Sequence, residues 1–292
     1  MLPLFGAYQI GNLISRVPAV LSCQKYDVTW LERELLPGFF SFEKYLKRPC
    51  MFDVDDSIWC NKPFGEISSR KICNYVDVVI AGNEYIADWF SSYIKSIEII
   101  PTSVDVDIFH PKNIEEREGK FILGWTGSCG NLKYVYEIEK YLSQFMSLCS
   151  DVELHILCDA PPTFSLIPSK RVKFIPWSPE VEAEVLRSWD VGIMPLPDND
   201  FARGKCSFKM LQYMATAIPV VVSPVGMNKK LLEMGPIGFS ANNGEWVDSL
   251  LELYNDSSLR DNMGTVGRNI VINDFSSQVV LPRIANVISS ML

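Results

Sequence analysis

The chain reads as an α/β protein of two domains, each built on a parallel sheet, with the first domain short. Three observations predict this. Short apolar runs alternate with helix-length segments, the runs fall into two series, and a polar charged stretch separates the series. Strands divided by helix-length spacers form βαβ units, in which each crossover returns the chain to the end where the previous strand began. With 292 residues, 48% of them apolar, there is material for two cores.

The first series places strands at 27–31, 50–54, 76–81 and 97–100, with helices near 40–47, 63–75 and 83–95. The second places strands at 121–125, 152–158, 172–175, 191–194, 220–222 and 237–239. Its helices fall near 131–148, 179–188, 208–217, 227–233 and 243–254. The break is 110–119, which is polar, charged and interrupted by Pro111. The expected domains are therefore 1–112 and 119–275, followed by a helix over 276–292 that packs back on the first domain. Residues 257–291 read as two helices divided near 274–276. The first 23 residues are apolar but broken by Gly11, Asn12, Arg16 and Pro18, too short and interrupted to cross a bilayer. They read as an amphipathic or core helix, with peripheral membrane contact as the alternative.

Composition excludes several functions. A net charge of −8 argues against a nucleic-acid binder, which shows a basic face over a whole domain. The eight cysteines are scattered, with no CxxC pair or finger spacing, and several lie inside apolar runs. They suit a reduced cytoplasmic setting better than a disulfide framework, and they offer no metal site. Of the two histidines, His155 alternates within a strand pattern and reads as a core or sheet-edge residue rather than a ligand.

Against this acidic background stands a basic island. From Phe201 to Leu232 there is no acid, yet Arg203, Lys205, Lys209, Lys229 and Lys230 occur. They surround an expected helix start after Ser207, where unpaired backbone N–H groups favour an anion. Lys209, Gln212 and Tyr213 share one face of that helix, while Met210, Leu211 and Met214 are free to face the sheet. Ligands of open parallel sheets collect at the carboxyl ends of strands. That gathers the turn at Gly127–Ser128, the segment at Trp177, the loop at Pro197 and the Arg203–Gly204–Lys205 approach to the helix. Trp177 is placed to cover a flat ring or, equally, to fill a core.

These residues resemble a family. Asp190-Val-Gly-Ile-Met-Pro-Leu-Pro, Arg203-Gly-Lys-Cys-Ser-Phe-Lys-Met-Leu-Gln-Tyr-Met-Ala and Ile218-Pro-Val-Val-Val-Ser-Pro-Val-Gly are similar to the donor-binding domain of group-1, family-4-like nucleotide-sugar glycosyltransferases of the GT-B fold. Phe52-Asp-Val-Asp-Asp-Ser-Ile-Trp, Val79-Ile-Ala-Gly-Asn-Glu-Tyr-Ile-Ala, Ile100-Pro-Thr-Ser-Val-Asp and Leu123-Gly-Trp-Thr-Gly-Ser add to the match, which spans about residues 26–275 in the family's order. The resemblance implies two Rossmann-like domains, with a nucleotide-diphosphate sugar on the second and an acceptor on the first. It implies a retaining transfer to an acceptor hydroxyl in polysaccharide or glycoconjugate synthesis. It also implies no metal and no cofactor, because cationic side chains and helix starts neutralise the diphosphate leaving group. Lys205, Lys209 and Asp55 become the catalytic candidates. The donor-binding candidates are Gly127, Ser128, Trp177, Pro197, Arg203, Gly204, Ser207 and Gln212, and the acceptor-side ones are Asp56 and Asn83.

The chain departs from the family pattern in two places. The family's two glutamates, eight residues apart, fall at Gly204 and Gln212, so Lys205 and Lys209 are left to handle the charge and Gln212 to bind a ribose hydroxyl. The first domain also lacks the leading strand and glycine loop on the acceptor side, which motivates a rival reading as a non-catalytic nucleotide-sugar-binding module. One of Asp55 and Asp56 orients an acceptor hydroxyl or acts as a base, the alternative being that Asp56 or Ser57 caps a helix. A more remote reading makes Asp53 and Asp55 the pair of a haloacid-dehalogenase-like phosphatase. That reading lacks the downstream acidic pair the chemistry requires.

Overall fold

The computed structural model describes residues 2–112 and 119–292, without the side chains of residues 2–10 and 12. Of the expected linker, 113–118 lies outside the described residues. The elements begin with α1 (Leu2–Ser22), β1 (Thr29–Glu32), β2 (Cys50–Val54), α2 (Gly65–Ile72), β3 (Val78–Ala81), α3 (Glu84–Ser91) and β4 (Ile97–Ile99). Next come β5 (Phe121–Gly127), α4 (Leu132–Glu137), α5 (Glu139–Leu148), β6 (Val152–Cys158), β7 (Val172–Pro176), α6 (Pro179–Arg187) and β8 (Val191–Met194). The rest are α7 (Asp200–Arg203), α8 (Phe208–Ala215), β9 (Val220–Val222), α9 (Met227–Glu233), β10 (Gly238–Ser240), α10 (Glu245–Asn255), α11 (Ser257–Ile270) and α12 (Ser277–Met291). Among the described residues no helix is long and apolar enough to cross a membrane.

The chain forms two compact units, and their division corrects the sequence reading. The first comprises Met1–Thr102, Asn199–Cys206 and Val280–Leu292, and the second Ser103–Asp198 and Ser207–Val279. The boundary thus falls between Thr102 and Ser103, not within the polar stretch, because Val104 is buried and bonds through its backbone to Phe275 and Ser277 of the second unit. The segment Asn199–Cys206, expected in the second domain, belongs to the first.

In the first unit the strands lie parallel in the order β1-β2-β3-β4. Strand β3 is buried along its length, as a parallel strand covered on both faces must be. Phe52 and Val79 face a cluster with Ile86 and Phe90 of α3. Met51, Val78 and Ile80, one residue out of step, face a second cluster with Val280 of α12. The helix expected near 40–47 is a single 3-10 turn, Glu43–Tyr45. The reason is local: the buried Glu43 carboxylate accepts from the N–H groups of Leu35 and Ser41 and folds the segment onto itself.

In the second unit six parallel strands run β10-β9-β8-β5-β6-β7. The chain winds outward from β5 to one edge, then returns to β8 beside β5 and winds to the other. That reversal makes β5/β8 the topological switch point, where a crevice opens at the carboxyl ends. The expected helix over 131–148 breaks at Ile138 into α4 and α5. The loop after β8 carries an unexpected turn, α7, capped by Asn199 Oδ1 accepting from Ala202 N–H at 2.9 Å. All eight cysteines are free, six of them buried, and His155 is buried within β6.

Candidate functional site

At the switch point α8 packs on β8 and β9 and reaches the end of β5 through Tyr213. Tyr213 is fully buried, its ring so close over Gly192 that a Cβ there would meet it at 2.5 Å. Its hydroxyl accepts the N–H of Thr126 at 3.1 Å, and burial pushes the phenol well above its usual range, so it stays neutral. Tyr213 therefore fixes α8 on the sheet and does not share a ligand face with Lys209. Lys209 reaches the other way. A Cβ on Gly127 would meet the Trp125 ring at 2.7 Å and Lys209 Cε at 2.8 Å, so this glycine lets both side chains lie close over the carboxyl end of β5. Gln212, one turn on, is 1% exposed and its Nε2 has no hydrogen-bond partner among the described residues. A buried amide left unsatisfied costs roughly 1–3 kcal/mol.

The start of α8 is open. Ser207 precedes it at φ 55, ψ 30, without a side-chain cap, and the first turn holds no acid. The Ser207 hydroxyl donates instead to Asn228 Oδ1 at 2.6 Å, so its one proton is committed within the protein and the side chain is set aside as a donor-binding group. Nearby, Leu196 N–H donates to Ser223 Oγ at 3.0 Å, which holds the loop that carries Pro197. Ser128 is exposed and accepts from Asn131 Nδ2 at 3.0 Å. Trp177 is 46% exposed at the end of β7, so the core alternative is excluded and a face is available for a flat ring. One residue the sequence reading missed is Asp159, exposed at the end of β6. The N–H of Cys129 donates to it and holds its carboxyl below the usual range.

The remaining candidates sit on the first unit. Lys205 pairs with Asp56 at 3.7 Å and lies over the Phe201 ring at 4.6 Å. Arg33, also missed from sequence, stands at the end of β1 with φ 61 and approaches Asp56 at 3.4 Å and Asp55 at 3.8 Å. Arg203 pairs with Asp200 at 3.6 Å. Ser57 does not cap the turn it precedes through its side chain: its Oγ donates to Asp200 O at 2.8 Å. Asn83 is a structural clamp. Its Oδ1 caps α3 by accepting from Ile86 N–H, and its Nδ2 donates to Gly204 O, both at 3.0 Å. Gly204 itself is closed to any side chain, because a Cβ there would lie 1.9 Å from Ser57 Oγ. The position matching the family's first glutamate therefore cannot carry one in this packing. The basic island is thus divided: Lys205 and Arg203 are held by acids of the first unit, while Lys209 serves the second.

Asp53, the nucleophile of the phosphatase reading, lies within β2 and accepts from Trp30 Nε1 at 3.2 Å. Burial, offset by that bond and reinforced by Asp55, pushes its carboxyl up to about 6. A nucleophilic carboxylate needs the opposite, an anion exposed to substrate. Among the described residues no group of three or more His, Cys, Asp or Glu is placed to hold a metal ion.

Residues 121–256 match the family model described as "Glycosyl transferases group 1". The capsular polysaccharide biosynthesis glycosyltransferase CapM of Staphylococcus aureus is 22% identical over 280 residues, covering 91% of this chain and 70% of that one. HepE of Anabaena, solved with UDP-glucose, superposes with TM-score 0.71 at 15% identity, over 94% of this chain and 81% of its own. Sucrose-phosphate synthase of Thermosynechococcus elongatus gives 0.70 at 13% identity, over 95% and 76%. At these identities the solved structures speak for the fold alone.

Proposed function

We propose that this group-1 glycosyltransferase of GT-B fold binds a nucleotide-diphosphate sugar at the switch point of its second sheet, with the diphosphate on the first turn of α8. The observation that carries the reading is the combination there of an uncapped helix start, Lys209 across Gly127 and the unsatisfied Gln212 amide. The helix N–H groups and the ammonium supply charge-assisted hydrogen bonds to the leaving diphosphate. Gln212 meets a ribose hydroxyl, and Trp177 covers the base. The UDP-glucose held by HepE makes a UDP-sugar the first donor to try. An acceptor hydroxyl attacks the anomeric carbon from the face the diphosphate leaves, and its proton passes to the departing diphosphate, in a metal-independent, retaining transfer. Asp55, exposed at the end of β2, serves the acceptor on the first unit, and the Lys205–Asp56 pair shapes that surface. The capsular polysaccharide named for CapM supports a polysaccharide or glycoconjugate as the class of product, and the reading extends to a cytoplasmic site at the inner face of the membrane.

The test is turnover of UDP-, GDP- and ADP-sugars, followed as released nucleotide with and without chelator. Donor-dependent release that survives chelation supports the reading, and saturable nucleotide binding without release or transfer favours the non-catalytic module. The closed position 204 motivates that second reading, since a carboxylate contribution to the donor sugar is absent there.

A further inference from the structure

By its sequence the start of α8 should be sealed by its own serine. Serine is among the best N-cap residues, its oxygen accepting from the N–H groups two and three positions on. Here those are the N–H groups of Lys209 and Met210. Ser207 makes no such bond, and its hydroxyl proton goes to Asn228 Oδ1 at 2.6 Å. A hydroxyl has one proton, so this serine has none left for an anionic ligand.

Asn228 is built to hold that contact. It is completely buried at the start of α9, and its own N–H donates to Val225 O at 3.1 Å. Its side-chain Nδ2 donates to Ser223 O at 3.2 Å, just beyond β9. With the amide nitrogen anchored to the sheet, Oδ1 has a fixed direction, and that direction is toward Ser207. The structure assigns Asn228 as a positioning residue: by engaging Ser207 it keeps the first turn of α8 uncapped and open to the diphosphate of the donor. This rests on α8 being the diphosphate site. Without Asn228 the serine oxygen is free to turn onto Lys209 and Met210 N–H, the donors the ligand needs, and the two then compete.

Calorimetric titration of UDP and of GDP into four proteins tests this, with melting temperatures recorded alongside. Asn228→Ala is expected to bind five- to tenfold more weakly, the equivalent of a cap of roughly 1–1.4 kcal/mol that the ligand must displace. Ser207→Gly, which suits a left-handed backbone and has no oxygen to cap with, is expected to stay within twofold of wild type. The double variant Ser207→Gly/Asn228→Ala should return to within twofold of wild type as well. A purely structural Asn228 gives a double variant as weak as Asn228→Ala or weaker, which overturns the assignment. Should Asn228→Ala not fold, Ser207→Gly alone decides: a fivefold loss means the hydroxyl serves the ligand directly, and the assignment fails. Wild type that binds neither nucleotide defeats the reading of α8 itself. Wild type that binds but shows the wrong pattern defeats only the role of Asn228.

Discussion

Helices α3 and α8 are each eight residues long, and each is preceded by a residue suited to capping. Only α3 uses it. Asn83 stands in extended backbone and accepts the Ile86 N–H, so the start of α3 is satisfied from within. Ser207 is turned into the left-handed region and bonded elsewhere, so the start of α8 is not. Capping one helix and leaving the other open costs about 1 kcal/mol at the open end. The difference shows how one motif becomes scaffold in the first unit and a binding surface in the second. Proteins keep such local deficits mainly where a ligand makes them good.

The largest effect that would break or sharpen this contrast is expected from Lys209→Ala. Loss of one charge-assisted bond, roughly 1.5–3 kcal/mol, should weaken nucleotide binding and donor turnover at least tenfold. Lys205→Ala, by contrast, should leave nucleotide affinity unchanged and alter only transfer to acceptor, since its ammonium is engaged with Asp56. Calorimetry on both variants checks this, and equal losses would erase the distinction between the two lysines.

Asn83→Ala should act on stability. It removes both the cap of α3 and the bond to Gly204 O, for about 1–3 kcal/mol together. A drop in melting temperature with unchanged nucleotide affinity is the expected outcome. Gly204→Ala should cost a similar or smaller amount through overpacking against Ser57, about 1–3 kcal/mol. Stability near that of wild type would mean Ser57 yields, and position 204 would then be open to a side chain.

The smallest effects concern pH, and the two sheets should respond with opposite sign. The Asp53 carboxyl, raised from 3.8 to about 6 chiefly by burial, favours the protonated form in the folded state. Its stabilising contribution is full below about pH 4 and is lost as pH rises through 6. The buried imidazole of His155 is shifted down from 6.5 chiefly by burial, so the fold favours it neutral. Its contribution is full above pH 6.5 and is lost as pH falls through the lowered value. Asp53→Asn should therefore raise the melting temperature mainly at pH 7–8, and His155→Gln should flatten the acid side, both read from melts over pH 4–8.

Much of this was legible in the chain. The ten strands answer to ten apolar runs because parallel strands buried on both faces must be almost wholly apolar, as β3, β8 and β9 are. The lysine and glutamine of α8 were visible through helical spacing and the surrounding absence of acid. What sequence concealed depends on partners far along the chain. Asn199–Cys206 joins the first unit through Asn83 and Ser57, more than a hundred residues away, so neighbours in sequence such as Lys205 and Lys209 part company. Nothing marks Ser207 as a serine that will not cap, because the decision is made by Asn228. Arg33 escaped notice because a lone arginine after a strand carries no motif, and its positive φ is not a property that arginine advertises.

The central claim is that backbone N–H groups at the start of α8 receive a nucleotide's diphosphate. Amide chemical shifts recorded while UDP is added to the isotope-labelled protein test it most directly. The account predicts that Phe208, Lys209 and Met210 shift together, saturably, and more than the capped start of α3 around Ile86. Saturation with UDP that leaves those three amides unmoved would contradict it.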